Sequence, residues 1–168
     1  MSRIVVGFDG SASARQTVEW ALDEAVVHGW DLHVITVLEQ QPVPTTWGAP
    51  AYLPVASVDT DTLRADAQRV VDELVEARTT RSGVPVTVAV GTGQPAAVLI
   101  HESADADLLV VGCRGLGGFG RLLLGSVSHQ VVQHAACPVT IIHHERHQVG
   151  TGAAPKPVAA DSEISKAS

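Results

Sequence analysis

The first 144 of the 168 residues contain no lysine; Lys156 and Lys166 come after them, and every other basic aliphatic residue is arginine. That absence excludes a phosphate-binding loop of the Walker type, which needs a lysine on the phosphates, and Schiff-base chemistry in the same stretch. Cysteine is scarce too. Cys113 and Cys137 are too few for a disulfide framework, and they fall after one expected strand and before another, at opposite ends of a parallel sheet. Aromatic residues make up 4% of the chain, so its core must be built from Val, Leu, Ile and Ala. No apolar run approaches the ~20 residues of a membrane helix, and the N-terminus turns polar at Asp9 without a signal-peptide pattern. The expectation is a cytoplasmic protein with no membrane partner. Eleven basic against eighteen acidic side chains leave a net charge of −7, the wrong sign for a nucleic-acid surface.

What is present reads as one domain. The apolar run at 4–8, stopped by Asp9-Gly10-Ser11, has the look of a strand buried on both faces. Ser11 can cap a helix in which Ala14, Val18, Ala21, Leu22, Ala25 and Val26 recur at helical spacing, with Gly29 closing it. A second strand follows at 32–38. Residues 39–59 are Pro-rich and carry Trp47 and Tyr52 without a clear period, a long loop. Thr60 opens a second helix, with Leu63, Ala67, Val70, Val71, Leu74 and Ala77 on one face and Gly83 as its expected end. A third strand is expected at 84–90, a short helix from Pro95 to about Ser103, a fourth strand at 108–111, a helix at 126–135 and a fifth strand at 139–143. Strands alternating with helices at this spacing imply βαβ units: an α/β fold with a parallel sheet covered on both faces. After His144 the composition turns to Gly, Ala, Pro, Ser and charge, which suggests a folded domain over 1–144 and a disordered tail over 145–168.

Ligands of open parallel sheets bind beyond the carboxyl ends of the strands where the strand order reverses, which draws attention to the loops after the first and fourth strands. The later of these holds six glycines, at 112, 115, 117, 118, 120 and 125. Gly112 and Gly115 permit backbone conformations closed to other residues and a close approach to a ligand. Gly125-Ser126 then opens a helix whose free N–H groups and dipole favour an anion, with the Ser126 hydroxyl as a further donor. Arg114 and Arg121 are the nearby cations. A phosphate site made of backbone donors and arginine needs no lysine. Plainer readings stand beside these: glycines that only make turns, Asp9 as a capping residue next to Ser11, and Arg114 as a solvated loop residue.

The pattern Gly-x-x-Gly-x₉-Gly-Ser at Gly112, Gly115, Gly125 and Ser126 resembles the nucleotide-binding signature of the universal stress proteins. So do Val6-Gly7-Phe8-Asp9-Gly10-Ser11 at the end of the first strand and Cys137-Pro138-Val139 before the last. The resemblance covers about residues 2–144. It implies a Rossmann-like open sheet of five parallel strands in the order 3-2-1-4-5, of the type shared with adenine nucleotide alpha hydrolases, and the subgroup that binds ATP. Carried over, Asp9 and the backbone at Val37 would contact adenine or ribose, with Gly7 lying against the nucleotide. Gly112 and Gly115 would face the ribose and first phosphate. Arg121, Gly125, Ser126, Val127 and Ser128 would hold the phosphates, and Arg114, Gly117 and Gly118 of the loop are counted with the site. A Mg²⁺ bridging the phosphates is compatible with this but leaves no signature, since phosphate and water can hold it. The family typically pairs its last strand across a two-fold axis, here the strand from Val139 to His143, giving a homodimer.

Other constellations are weaker. His143 and His147 stand four apart like metal ligands, but strand residues alternate in direction and no rigid site results. His129 lies near the phosphate end of its helix, as a surface residue or a water-positioning group. No nucleophile–base or carboxylate pair suits hydrolysis. The response-regulator receiver shares this kind of fold but needs an Asp after its third strand and a Lys after its fifth; here Gly91-Thr92-Gly93 follows the third, and the fifth has no lysine after it before Lys156. The functional expectation is an ATP-binding regulator of a stress or dormancy response and not an efficient enzyme. The rivals are a cyclic-AMP binder or weak ATPase on the same site, and a scaffold that binds no nucleotide.

Overall fold

A computed structural model of the chain describes residues 2–39, 42–43, 51–52, 59–77, 83–115 and 124–143. The elements run β1 (Arg3–Gly7), α1 (Ala12–His28), β2 (Asp31–Glu39), β3 (Pro42–Val43), β4 (Ala51–Tyr52), α2 (Thr60–Glu76), β5 (Val86–Gly93), α3 (Pro95–Glu102), a 3₁₀ turn (Ser103–Asp105), β6 (Leu108–Gly112), α4 (Ser126–His134) and β7 (Val139–Ile142). The five longer strands form one sheet, ordered β5-β2-β1-β6-β7, and each neighbouring pair is parallel. Counting those five strands along the chain, the order is 3-2-1-4-5. It reverses between β1 and β6, so the carboxyl ends of these two strands flank the switch point.

Alternation along the strands divides the core in two. Ile4, Val6, Leu32, Val34 and Val110 point to the face covered by α1 and α2. Val5, Ile35, Leu109 and Val111 point to the opposite face, with Leu99 of α3 and Val131 of α4. Central strands are apolar on both sides because both sides are covered. On the second face α3 approaches the sheet closely at two glycines. A Cβ at Gly7 would lie 3.0 Å from a Leu99 methyl, and one at Gly91 would lie 2.5 Å from a Val98 methyl.

The local signals mostly act where the sequence places them. The Ser11 hydroxyl accepts from the Ala14 N–H at 3.0 Å to begin α1, and Gly29 ends it with φ of 66°. The buried stripe of α1 differs at two positions: Thr17 is fully buried, whereas Val26 is exposed. α2 stops before its expected glycine. Its cap is Ala77, and Gly83, with φ of 59°, stands in the approach to β5. β5 starts two residues later than expected, just after Pro85, and runs on through Gly93 because all of Val86–Gly93 pairs with β2 from Leu32 to Glu39. Within the Pro-rich stretch, two residues at 42–43 pair antiparallel with two at 51–52, too short a ladder to leave an alternating pattern. The expected tail at 145–168 lies outside the described residues.

Candidate functional site

At the end of β1 the chain turns sharply. The Phe8 N–H still bonds to the Ile35 carbonyl at 2.8 Å, then Gly10 takes φ of 82° and Ser11 starts α1. Asp9 sits inside this turn. Its Oδ1 accepts the Ser11 N–H at 3.0 Å, while its Oδ2 lies 2.6 Å from where a Cβ on Gly115 would be. The carboxylate therefore braces the start of α1 and fills the space above Gly115 at once.

The glycine loop is held from three sides as it leaves β6. Ser128 donates to the Gly112 carbonyl at 2.6 Å. The Cys113 N–H donates to Ile142 of β7, and the Cys113 carbonyl accepts the Gly125 N–H, both at 2.8 Å. From α1, the Ser13 hydroxyl donates to the Arg114 carbonyl at 3.3 Å, and Thr17 Oγ1 lies 3.2 Å from a Cβ position on Gly112. None of Gly112, Gly115 and Gly125 is among the glycines with positive φ. Gly112 and Gly115 answer to space and not to a left-handed backbone, since a Cβ on them would meet Thr17 Oγ1 at 3.2 Å and Asp9 Oδ2 at 2.6 Å. A Cβ on Gly125 would make ordinary contacts, 3.5 Å from the Arg114 Cα and the Cys113 oxygen. The first residues of the loop are thereby packed on its last.

α4 begins at this junction. Gly125 is its N-cap, in extended conformation, and as a glycine it brings no capping side chain. The N–H groups of Ser126, Val127 and Ser128 lack intrahelical partners by construction and carry the positive end of the helix dipole. The arrangement presents backbone donors and one exposed hydroxyl, Ser126, beside a carboxylate on Asp9, a set suited to a ligand bearing both an anion and hydroxyl donors.

The site residues named from sequence separate into groups. Asp9, Gly112, Arg114, Gly115, Gly125 and Ser126 are brought together. Val127 packs its side chain against the core under α4, and the Ser128 hydroxyl is buried on Gly112, so both offer the site only their N–H groups. Gly7, the last residue of β1, is seated against Leu99, and Val37 lies in β2 opposite Gly91. Gly117, Gly118 and Arg121 lie outside the described residues. Ser13 and Thr17 were missed. Thr17 had a signal: a hydroxyl on the buried stripe between Ala14 and Val18 must find a partner, and it donates to the Ser13 carbonyl at 3.0 Å. Among the described residues no three His, Cys, Asp or Glu groups are placed to hold a metal ion, so a magnesium ion here would depend on its phosphates and water.

The reversal between β1 and β6, with glycine-lined strand ends and a helix opened by a glycine beside it, defines an open α/β protein of the Rossmann-like class. The universal stress protein family model matches residues 1–143. A universal stress protein of Mycobacterium tuberculosis is 39% identical over 152 residues, covering 84% of this chain and 48% of its own. One from Thermus aquaticus is 35% identical over 142 residues, covering 83% and 96%. Among solved structures, a universal stress protein in complex with cyclic AMP superposes with a TM-score of 0.60 at 26% identity, covering 84% of this chain and 96% of its own. The chain belongs to the universal stress protein family. It spans about half the length of the mycobacterial relatives it matches. No helix among the described residues is long and apolar enough to cross a membrane.

Proposed function

We propose that this chain binds ATP at the ends of β1 and β6 and acts as a nucleotide-dependent regulator of a stress or dormancy response, in the cytoplasm, and not as an efficient enzyme. The observation that carries the reading is the packing of Gly112–Gly115 onto the start of α4, where the N-cap is glycine, with the Asp9 carboxylate beside it. Backbone N–H groups at 126–128, the Ser126 hydroxyl and Arg121 hold the phosphates; Gly112, Arg114, Gly115, Gly117 and Gly118 line the loop around them. Asp9 accepts from ribose hydroxyls, and Gly7 and the backbone at Val37 bound the adenine end. Magnesium, when bound, neutralises phosphate charge. Two copies pair through β7, an edge strand whose residues Val139–Ile142 are all half-buried, which removes an exposed sheet edge.

The relative solved with cyclic AMP favours a second reading, in which the same cradle takes a cyclic nucleotide. Denaturing the purified protein and identifying the released nucleotide by chromatography separates the two. ATP supports the first reading and cyclic AMP the second. A protein that releases nothing and binds neither in calorimetry is a scaffold.

A further inference from the structure

The N-terminal turn of α1 bears three successive contacts that end on the glycine loop. The Ala14 N–H donates to Ser11 Oγ at 3.0 Å, Ser11 Oγ and Ser13 Oγ are 2.9 Å apart, and Ser13 Oγ donates to the Arg114 carbonyl at 3.3 Å. Each hydroxyl has a single proton to give. A carbonyl can only accept, so the Ser13 proton is committed to Arg114, and the hydrogen bond between the two serines must then run from Ser11 to Ser13. The row has one direction: Ala14 N–H to Ser11, Ser11 to Ser13, Ser13 to the Arg114 carbonyl. Donors aligned in this way polarise one another.

The far end of the row matters because the Arg114 carbonyl and the Gly115 N–H belong to one planar, trans peptide and point to opposite edges of it. Holding the carbonyl toward α1 turns the Gly115 N–H away from α1. The other neighbours of that peptide are the start of α4, with Gly115 N 3.8 Å from a Cβ position on Gly125, and Asp9 above Gly115. We infer that Ser13 is a positioning residue of the ligand site: it fixes the Arg114–Gly115 peptide plane so that the Gly115 N–H serves as a donor to the first phosphate of a bound nucleotide. The inference rests on the nucleotide reading above and adds to it a residue that never touches the ligand.

Calorimetric titration of the full chain with ATP and, separately, with adenosine tests it on wild type, Ser13→Ala and Ser13→Thr. Alanine is the best helix former, and Ser13 is not the cap, so the fold survives the first change. Loss of one neutral hydrogen bond predicts ATP affinity lower by about three- to ten-fold in Ser13→Ala. Adenosine affinity changes less, the thermal midpoint holds, and threonine, which keeps the hydroxyl, restores ATP binding. Unchanged ATP affinity in Ser13→Ala, or equal weakening for ATP and adenosine, overturns the inference while leaving the nucleotide reading intact. A wild-type protein that binds neither ATP nor cyclic AMP overturns both.

Discussion

The carboxylate of Asp9 occupies the place where a side chain on Gly115 would begin, 106 residues further along the chain. Its Oδ2 is 2.6 Å from that Cβ position, closer than real Cβ contacts come. Gly115→Ala therefore displaces the carboxylate, which is the end of a short side chain and can move, and the Ser11 N–H at 3.0 Å from Oδ1 loses its acceptor. The displaced carboxylate also leaves the ribose hydroxyls proposed to donate to it, and loss of such a bond to a charged group predicts nucleotide affinity lower by about ten-fold or more, with the fold retained. Calorimetry with ATP beside a circular-dichroism melt checks both halves. Wild-type affinity in the variant would remove Asp9 and Gly115 from the site.

Ser126 and Ser128 stand two residues apart on α4 and should respond in opposite ways. Ser126 is exposed at the helix start, so Ser126→Ala lowers nucleotide affinity and leaves stability almost unchanged. Ser128 is buried and donates to the Gly112 carbonyl at 2.6 Å. Ser128→Ala leaves that carbonyl without its donor and costs about 1–3 kcal/mol of stability, read by urea unfolding. If the two variants behave alike in both measurements, the division of the helix start into a ligand side and a structural side is wrong.

Most of the fold was legible because its signals are local. Ser11 and Gly29 bound α1, and strands apolar on both faces announce a covered parallel sheet. The ends of α2 and β5 were misread because glycine is not what sets them. α2 stops where its apolar stripe runs out at Leu74 and Val75, with Ala77 already exposed, and β5 lengthens to match β2. In the site, the glycine spacing was visible but its cause was not. Gly112 and Gly115 are fixed by Thr17 and Asp9, contacts set by tertiary packing that no local pattern encodes. The Ser13–Arg114 hydrogen bond spans 101 residues and was invisible for the same reason.

Gly91 tests the closeness of α3 to the sheet. A Cβ there would sit 2.5 Å from Val98 Cγ1, and Val98 is half-buried and packed against the core with a branched side chain that is stiff at χ1, so its methyl cannot simply swing aside. Gly91→Ala is expected to destabilise the protein by about 1–3 kcal/mol through overpacking. Trimming the opposing side chain should recover part of that loss, so Gly91→Ala combined with Val98→Ala is less destabilised than the sum of the single changes. Strict additivity in denaturant unfolding would show that the two positions do not compete for space.

His33 gives the fold a predicted dependence on pH. It lies in β2, hydrogen-bonded through Nδ1 to the Thr87 hydroxyl of β5. Burial lowers its pKa below the ordinary 6.5, the Arg3 charge lowers it further, and Glu102 opposes them. The folded state thus prefers the neutral ring, and between the lowered value and 6.5 the unfolded chain binds more protons than the folded one. Stability rises with pH wherever that holds. The contribution of His33 is complete above pH 6.5 and is lost as the pH falls through the folded-state value. His33→Gln keeps a polar partner for Thr87 but cannot titrate, so its urea midpoint should fall less than that of wild type between pH 7 and pH 5. Identical slopes in the two proteins over that interval would place the acid sensitivity elsewhere.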